Sequence, residues 1–392
     1  MSDLKMQGNE ERGNEFRRGG AQIVLNPIPC PRRRTLGASP HSAGLQSHVL
    51  SVLLTLCLLL PPVQAAPALP ARQLALDKIL NAPALKGGVT GAIVCRVSDG
   101  QVLYTHDADL RLMPASNRKL FTSAAALELL GPDFRAHTDI LTAAKPDADG
   151  TIKGSLFLRG GGDGLLSPAD LDALADTLAK SGVKRIEGGV VGDGSRFTDG
   201  PYGFGWEWDD FSDEEFPQIS ALEVNQGVLK VHLSPGAQIG DPVTASVDPP
   251  TDYVPLVISA KTGAKEAVTD CTVTRPWDKN SFSITGTLPV GQTLTESVPV
   301  QSPPLLAATL LQADLVRHGI AVLGIPLLGL TPPNVVTLAS HPSLPLSEYI
   351  VRMNKPSDNL LAESLVRLLD GKGTYDAGHA QETPFFTKLG VD

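Results

Sequence analysis

The chain has 392 residues, 42% of them hydrophobic and 19% charged, enough to bury a large core and to form more than one domain. A net charge of −9 argues against a nucleic-acid partner, because no basic patch is available to neutralise phosphates. Thirty-eight glycines and 32 prolines, with only 5% aromatics, suit a β-rich, turn-rich protein better than a helical bundle.

Residues 1–48 are polar and rich in Gly, Arg and Pro, with a basic block at Arg32-Arg33-Arg34. The apolar run from Val49 to Leu60 is too short to span a bilayer. Pro61-Pro62-Val63-Gln64-Ala65-Ala66 follows, where Val63 and Ala65 fit cleavage after Ala65. We expect residues 1–66 to be a disordered N-terminus plus a signal peptide at about 49–65, and the mature protein to be exported, periplasmic or extracytoplasmic. Thr35-Leu36-Gly37 is a poor continuation for twin-arginine export, so ordinary secretion is expected. Cys30 and Cys57 would leave with this segment. Cys95, expected as a buried thiol in an apolar strand, and Cys271 remain; an exported compartment permits a bridge between them, although sequence cannot place them together. The eight histidines lack metal-ligand spacing, so no metal or other cofactor is expected.

A helix is predicted over 72–82, on Leu74, Leu76, Ile79 and Leu80, then a hairpin of 88–97 and 100–105 closed at Asp99-Gly100. Ser116-Asn117-Arg118-Lys119 opens an Ala/Leu-rich helix that ends at Gly131-Pro132, with an expected apolar face of Leu120, Ala124, Leu127 and Leu130. From about 136 to 300 short strands alternate with Gly, Pro and Asp, with one helix near Pro168–Ser181. Gly160-Gly161-Gly162 is not followed by the Lys-Ser/Thr of a phosphate cradle and is expected to be a turn. Lys261-Thr262-Gly263 is expected to be a turn as well. Helical patterns return at Leu305–His318, Leu346–Met353 and 359–370. Pro356 separates the last two and puts Ser357-Asp358-Asn359 on the short connection between them.

The chemistry of these motifs is specific. Ser116 falls at a helix N-terminus, whose free N–H groups favour a developing oxyanion, and Lys119 lies one turn later on the same face. A serine needs a base to become a nucleophile, and a desolvated lysine can lose its proton and serve. Ser-x-x-Lys followed by Ser-Asp-Asn is the paired pattern of penicillin-recognising acyl-transfer enzymes. Either motif alone is also a plain N-cap.

With these two motifs, Leu158-Arg159-Gly160-Gly161-Gly162-Asp163, Gly188–Phe197, Gly205-Trp206-Glu207-Trp208-Asp209-Asp210 and Ser220–Asn225, the chain resembles the D-alanyl-D-alanine carboxypeptidase/endopeptidase family, the low-molecular-mass class C penicillin-binding proteins, over roughly residues 70–392. The resemblance implies an α/β, β-lactamase/transpeptidase-like catalytic domain interrupted by a large, mostly β insertion. The expected division is 67–135 for its first part, 136–300 for the insertion and 301–392 for an incomplete second part. It implies Ser116 as nucleophile, Lys119 as its base, Ser357 as a proton relay and Asn359 as a holder of Lys119 and the substrate amide. Peptidoglycan stem peptides are the implied substrate, and β-lactam antibiotics the implied covalent inhibitors. In the family a Lys-Thr-Gly strand follows the Ser-Asp-Asn element, whereas Lys261-Thr262-Gly263 precedes it, so the chain is expected to be truncated at its C-terminus. The alternatives are a catalytically inert peptidoglycan-binding homologue, or a β-lactamase or esterase of the same superfamily. Oligomeric state is not legible.

Overall fold

The computed structural model describes residues 69–391 apart from Trp208, and without the side chains of Leu69 and Pro70. The expected signal peptide and disordered N-terminus therefore lie outside the described residues. The described chain forms two compact units that divide between Ala115 and Ser116.

The first unit holds helix α1, Leu69–Leu80, and the antiparallel strands Ala92–Cys95 and Val102–His106. The Asp-Gly connection closes the hairpin by two devices. Gly100 takes φ +73°, a conformation without cost only for glycine, and Asp99 Oδ1 accepts from Gln101 N at 3.1 Å. Tyr104 Oη donates to Asp77 Oδ1 at 2.7 Å, tying the second strand to α1. Cys95 is half-buried rather than buried, and both Cys95 and Cys271 are free thiols, so the bridge the compartment would permit is not formed.

In the second unit, helix α2, Arg118–Leu129, does not bury its leucine stripe. Leu120 and Leu127 are exposed, and the buried side is Lys119, Thr122, Ser123, Ala125 and Ala126. Small side chains on that face let the neighbouring helices approach closely, a choice that apolar periodicity does not reveal.

A five-stranded mixed sheet follows, in the order Leu327–Leu328, Val190–Asp193, Leu156–Arg159, His137–Thr142 and Val336–Pro342. Helix α3, Pro168–Lys180, begins with a capping box. Asp170 N donates to Ser167 Oγ at 3.3 Å, and Ser167 N donates to Asp170 Oδ2 at 2.9 Å. It buries Leu171, Leu174, Ala175 and Leu178, one helical face, against Ile140, Leu156, Leu158 and Val190 of the sheet. Helix α4, Pro303–Arg317, adds Leu306, Leu310, Leu311 and Leu315 to the same core. The helix predicted to rejoin the first domain packs on this sheet, and Val336–Pro342 pairs antiparallel with His137–Thr142, so the excursion runs from 137 to 342. Alternation at Val228–Ser234, with Leu229, Val231 and Leu233 inward, builds a second, three-stranded sheet with Thr244–Asp248 and Leu294–Pro299.

Lys261–Gly263 is a short strand, not a turn. It pairs in parallel with Thr287–Pro289, and Thr262 Oγ1 accepts from Gly236 N at 2.7 Å. Gly160 and Gly161 are packing glycines. A Cβ on Gly160 would lie 2.1 Å from Ala221 O, and one on Gly161 2.3 Å from His137 O, both unyielding backbone atoms. Gly160→Ala is therefore expected to destabilise the second unit by about 3 kcal/mol or more, read as a large fall in melting temperature. An unchanged melting temperature would contradict this packing.

Helices α5, Leu346–Asn354, α6, Asn359–Leu368, and α7, Tyr375–Lys388, complete the unit. All three pack with α2, and Ala126 joins Leu346, Tyr349, Met353, Leu361 and Leu365 in one cluster.

Candidate active site

Ser116 lies in a 3-10 turn, Ala115–Asn117, immediately before α2, and Lys119 lies on the first turn of α2. Two side chains anchor this start of the helix. Arg118 forms an ion pair with the buried Glu382 of α7, and its Nη2 lies 2.8 Å from His379 Nδ1. Ser123 Oγ donates to Lys119 O at 2.7 Å and accepts from Asn354 Nδ2 at 2.9 Å, which fixes α2 to α5.

The second element stands at the end of the four-residue connection, Lys355–Asp358, between α5 and α6, with Asn359 opening α6. Ser357 has φ +66°, a left-handed conformation uncommon outside glycine, and it directs both its carbonyl and its hydroxyl at Lys119. Asp358 caps α6, with Oδ1 accepting from Leu361 N at 2.9 Å, so the N-cap role and the site coexist. Its other oxygen, Oδ2, accepts from Gln226 Nε2 at 2.6 Å, tying the turn to the excursion.

The four predicted site residues meet at one atom. Lys119 Nζ lies 2.7 Å from Asn359 Oδ1, 2.9 Å from Ser357 O, and 3.3 Å from both Ser116 Oγ and Ser357 Oγ. The two nearest are carbonyl oxygens, which only accept. They engage two N–H bonds, all that a neutral amine has, and leave its lone pair facing two hydroxyls that can donate. Burial to 8% exposure pushes the Lys119 ammonium below its ordinary range. The carboxylates of Asp358, Glu215 and Glu363 act in the opposite direction but do not cancel the desolvation.

Beside this centre lies an open cleft of about 980 Å³, solvent included. Ser357, Asp358 and Asn359 form one wall, and Glu214, Glu215, Gln226 and Lys230 of the excursion face them. Asn359 Nδ2 donates to Glu215 O at 3.3 Å. Glu223 is fully buried, its Oε1 accepting from Ser220 N at 2.7 Å, and burial raises its carboxyl well above the usual range. Sequence reasoning missed Glu215 and Gln226. Glu215 contributes a main-chain oxygen that leaves no side-chain signature, while Gln226 lies next to Ser220–Asn225, a stretch already conspicuous in the sequence.

A family model described as the D-Ala-D-Ala carboxypeptidase 3 (S13) family matches residues 72–392. A D-alanyl-D-alanine carboxypeptidase of Actinomadura sp. (strain R39) is 35% identical over 391 residues, covering 96% of this chain and 69% of that protein. The D-alanyl-D-alanine carboxypeptidase DacB of Haemophilus influenzae is 29% identical, over 72% of this chain and 59% of its own length. The crystal structure of penicillin binding protein 4 (dacB) from H. influenzae superposes with a TM-score of 0.68 at 26% identity, covering 77% of this chain and 68% of that one. The α/β fold of the chain is that of a penicillin-binding protein.

Proposed function

Since the chain belongs to the D-Ala-D-Ala carboxypeptidase 3 (S13) family, we propose that it is a serine-type D-Ala-D-Ala carboxypeptidase/endopeptidase acting on peptidoglycan stem peptides through an acyl-enzyme on Ser116. The observation that carries this reading is the set of four contacts around Lys119 Nζ, with carbonyls at the two shorter distances and hydroxyls at the two longer. Neutral Lys119 accepts the Ser116 hydroxyl proton as Oγ attacks the carbonyl joining two D-alanines. The tetrahedral intermediate collapses with cleavage of the peptide bond, and the leaving D-alanine amine receives a proton from Lys119 by way of Ser357 Oγ. Water, deprotonated by the now neutral Lys119 amine, then attacks the Ser116 ester, and Ser116 Oγ leaves as it takes that proton back from Lys119, which frees the enzyme. Asn359 holds Lys119 through its amide oxygen while its place on the cleft wall gives it access to the substrate amide.

Penicillins carry a strained amide of similar shape and are expected to acylate the same hydroxyl. We place the protein outside the cytoplasm, where its substrate is. No helix among the described residues is long and apolar enough to cross a membrane. Incubation with a fluorescent penicillin, followed by mass mapping of the adduct, tests the assignment. The added mass is expected on the peptide containing Ser116, with slow release and with D-alanine liberated from a stem pentapeptide. A folded protein that takes no label, or takes it elsewhere, refutes the proposal, and rapid penicillin turnover would make it a β-lactamase instead.

A further inference from the structure

Arg275 follows the strand Thr272–Thr274 and is 2% exposed. Among the described residues no carboxylate pairs with it. Its guanidinium donates instead to main-chain carbonyls: Nε to Pro299 O at 2.8 Å, Nη2 to Phe211 O at 2.9 Å and Nη1 to Pro276 O at 3.4 Å. It lies 5.3 Å from the centre of the Phe211 ring, and Ser212 Oγ returns a bond to Arg275 O at 3.1 Å. Burying a guanidinium without a counter-charge is costly, and a planar fork with five donors is suited to holding separate backbone segments in one geometry.

What it holds is the turn of residues 210–216. There Asp213 N donates to Asp210 O at 2.8 Å, Glu215 N to Asp213 Oδ1 at 2.8 Å and Phe216 N to Asp213 O at 3.1 Å. The Phe216 ring packs edge-on against Trp206 with centroids 5.2 Å apart. A turn closed on itself in this way moves as a unit, so the position of Phe211 sets that of Glu215. Glu215 O then takes the Nδ2 end of Asn359, which leaves Oδ1 for Lys119. An amide has one donating and one accepting end, so the Glu215 carbonyl decides which of them meets the lysine.

We propose that Arg275 is a positioning residue for acyl transfer, acting through the 210–216 turn to orient the Asn359 amide with its oxygen on Lys119. The proposal rests on the assignment of Ser116 and Lys119 as nucleophile and base. Its test is the first-order acylation constant for a fluorescent penicillin in wild type, Arg275→Lys, Asn359→Ala and the double variant, with melting temperatures recorded alongside. Arg275→Lys keeps the charge but cannot bridge three carbonyls, and is expected to lower the constant about tenfold without changing the half-saturating penicillin concentration. In the Asn359→Ala background the same change is expected to do nothing more, since the path ends at Asn359. If Arg275→Lys folds poorly, Ser212→Ala is read in its place, with a loss of about two- to threefold that likewise disappears without Asn359. A wild-type constant in a folded variant, or an equal loss in both backgrounds, overturns the proposal. A wild-type protein that does not acylate at Ser116 would overturn the proposed function instead, so the two failures are distinguishable.

Discussion

Replacing Lys119 by arginine is expected to lower penicillin acylation by about 10³-fold, the middle of the range for loss of a general base. The substitution keeps the positive charge and the helix propensity, so a loss of rate cannot be assigned to either. What it removes is the ability to become neutral, because a guanidinium stays protonated at any accessible pH. Lys119 can do so because burial disfavours its charged form, and because Asn359 Oδ1 and Ser357 O engage only two of its hydrogens. The measurement is the acylation rate on protein whose melting curve shows it folded. Acylation of that variant at the wild-type rate would remove Lys119 from the base role.

Changing Asn359 to aspartate is expected to cost about a tenth as much, roughly 100-fold at pH 7. The amide oxygen lies 2.7 Å from Nζ. A carboxylate there favours the ammonium, which opposes the lowering that burial produces. The sign follows directly. Wild-type acylation rises with pH as Lys119 loses its proton and levels off once it is neutral. In Asn359→Asp that rise moves to higher pH, so the deficit narrows as the pH is raised. Rate–pH profiles of the two proteins decide the matter. A deficit of the same size at every pH would mean that Asn359 acts on something other than the protonation of Lys119.

The parts of this site that could be read from the sequence are those where chemistry and local structure coincide in a few adjacent residues. Ser116 and Lys119 are one helical turn apart, and Ser357-Asp358-Asn359 is bounded by Pro356 on one side and an apolar helix on the other. What was not legible depends on partners far along the chain. Nothing in Leu305–His318 tells whether it packs on a catalytic helix or, as it does, on Leu171 and Leu178 of α3. Lys261-Thr262-Gly263 is too short for period-2 alternation to register, and its strand character comes from pairing with Thr287–Pro289. The exposed Leu120 and Leu127 show the limit of periodicity, which finds a stripe but not which stripe is buried. Glu215 enters through its carbonyl, and Arg275 through bonds to three carbonyls, so neither has a motif to find.

The pairing of Val336–Pro342 with His137–Thr142 has a bearing on how the molecule is made. Ser340 Oγ reaches Asp139 Oδ1 across 201 residues of sequence. At roughly 5–20 residues per second, a ribosome takes on the order of 10–40 s to deliver that partner. During this time one edge of His137–Thr142 is without its neighbour, and the nascent chain is open to wrong pairing and to capture by chaperones. Lys119 waits longer still, since Ser357 and Asn359 are made after the strand that closes the sheet. Lys119 therefore gains its two carbonyl acceptors, Ser357 O and Asn359 Oδ1, only when the chain through residue 359 has folded back onto α2.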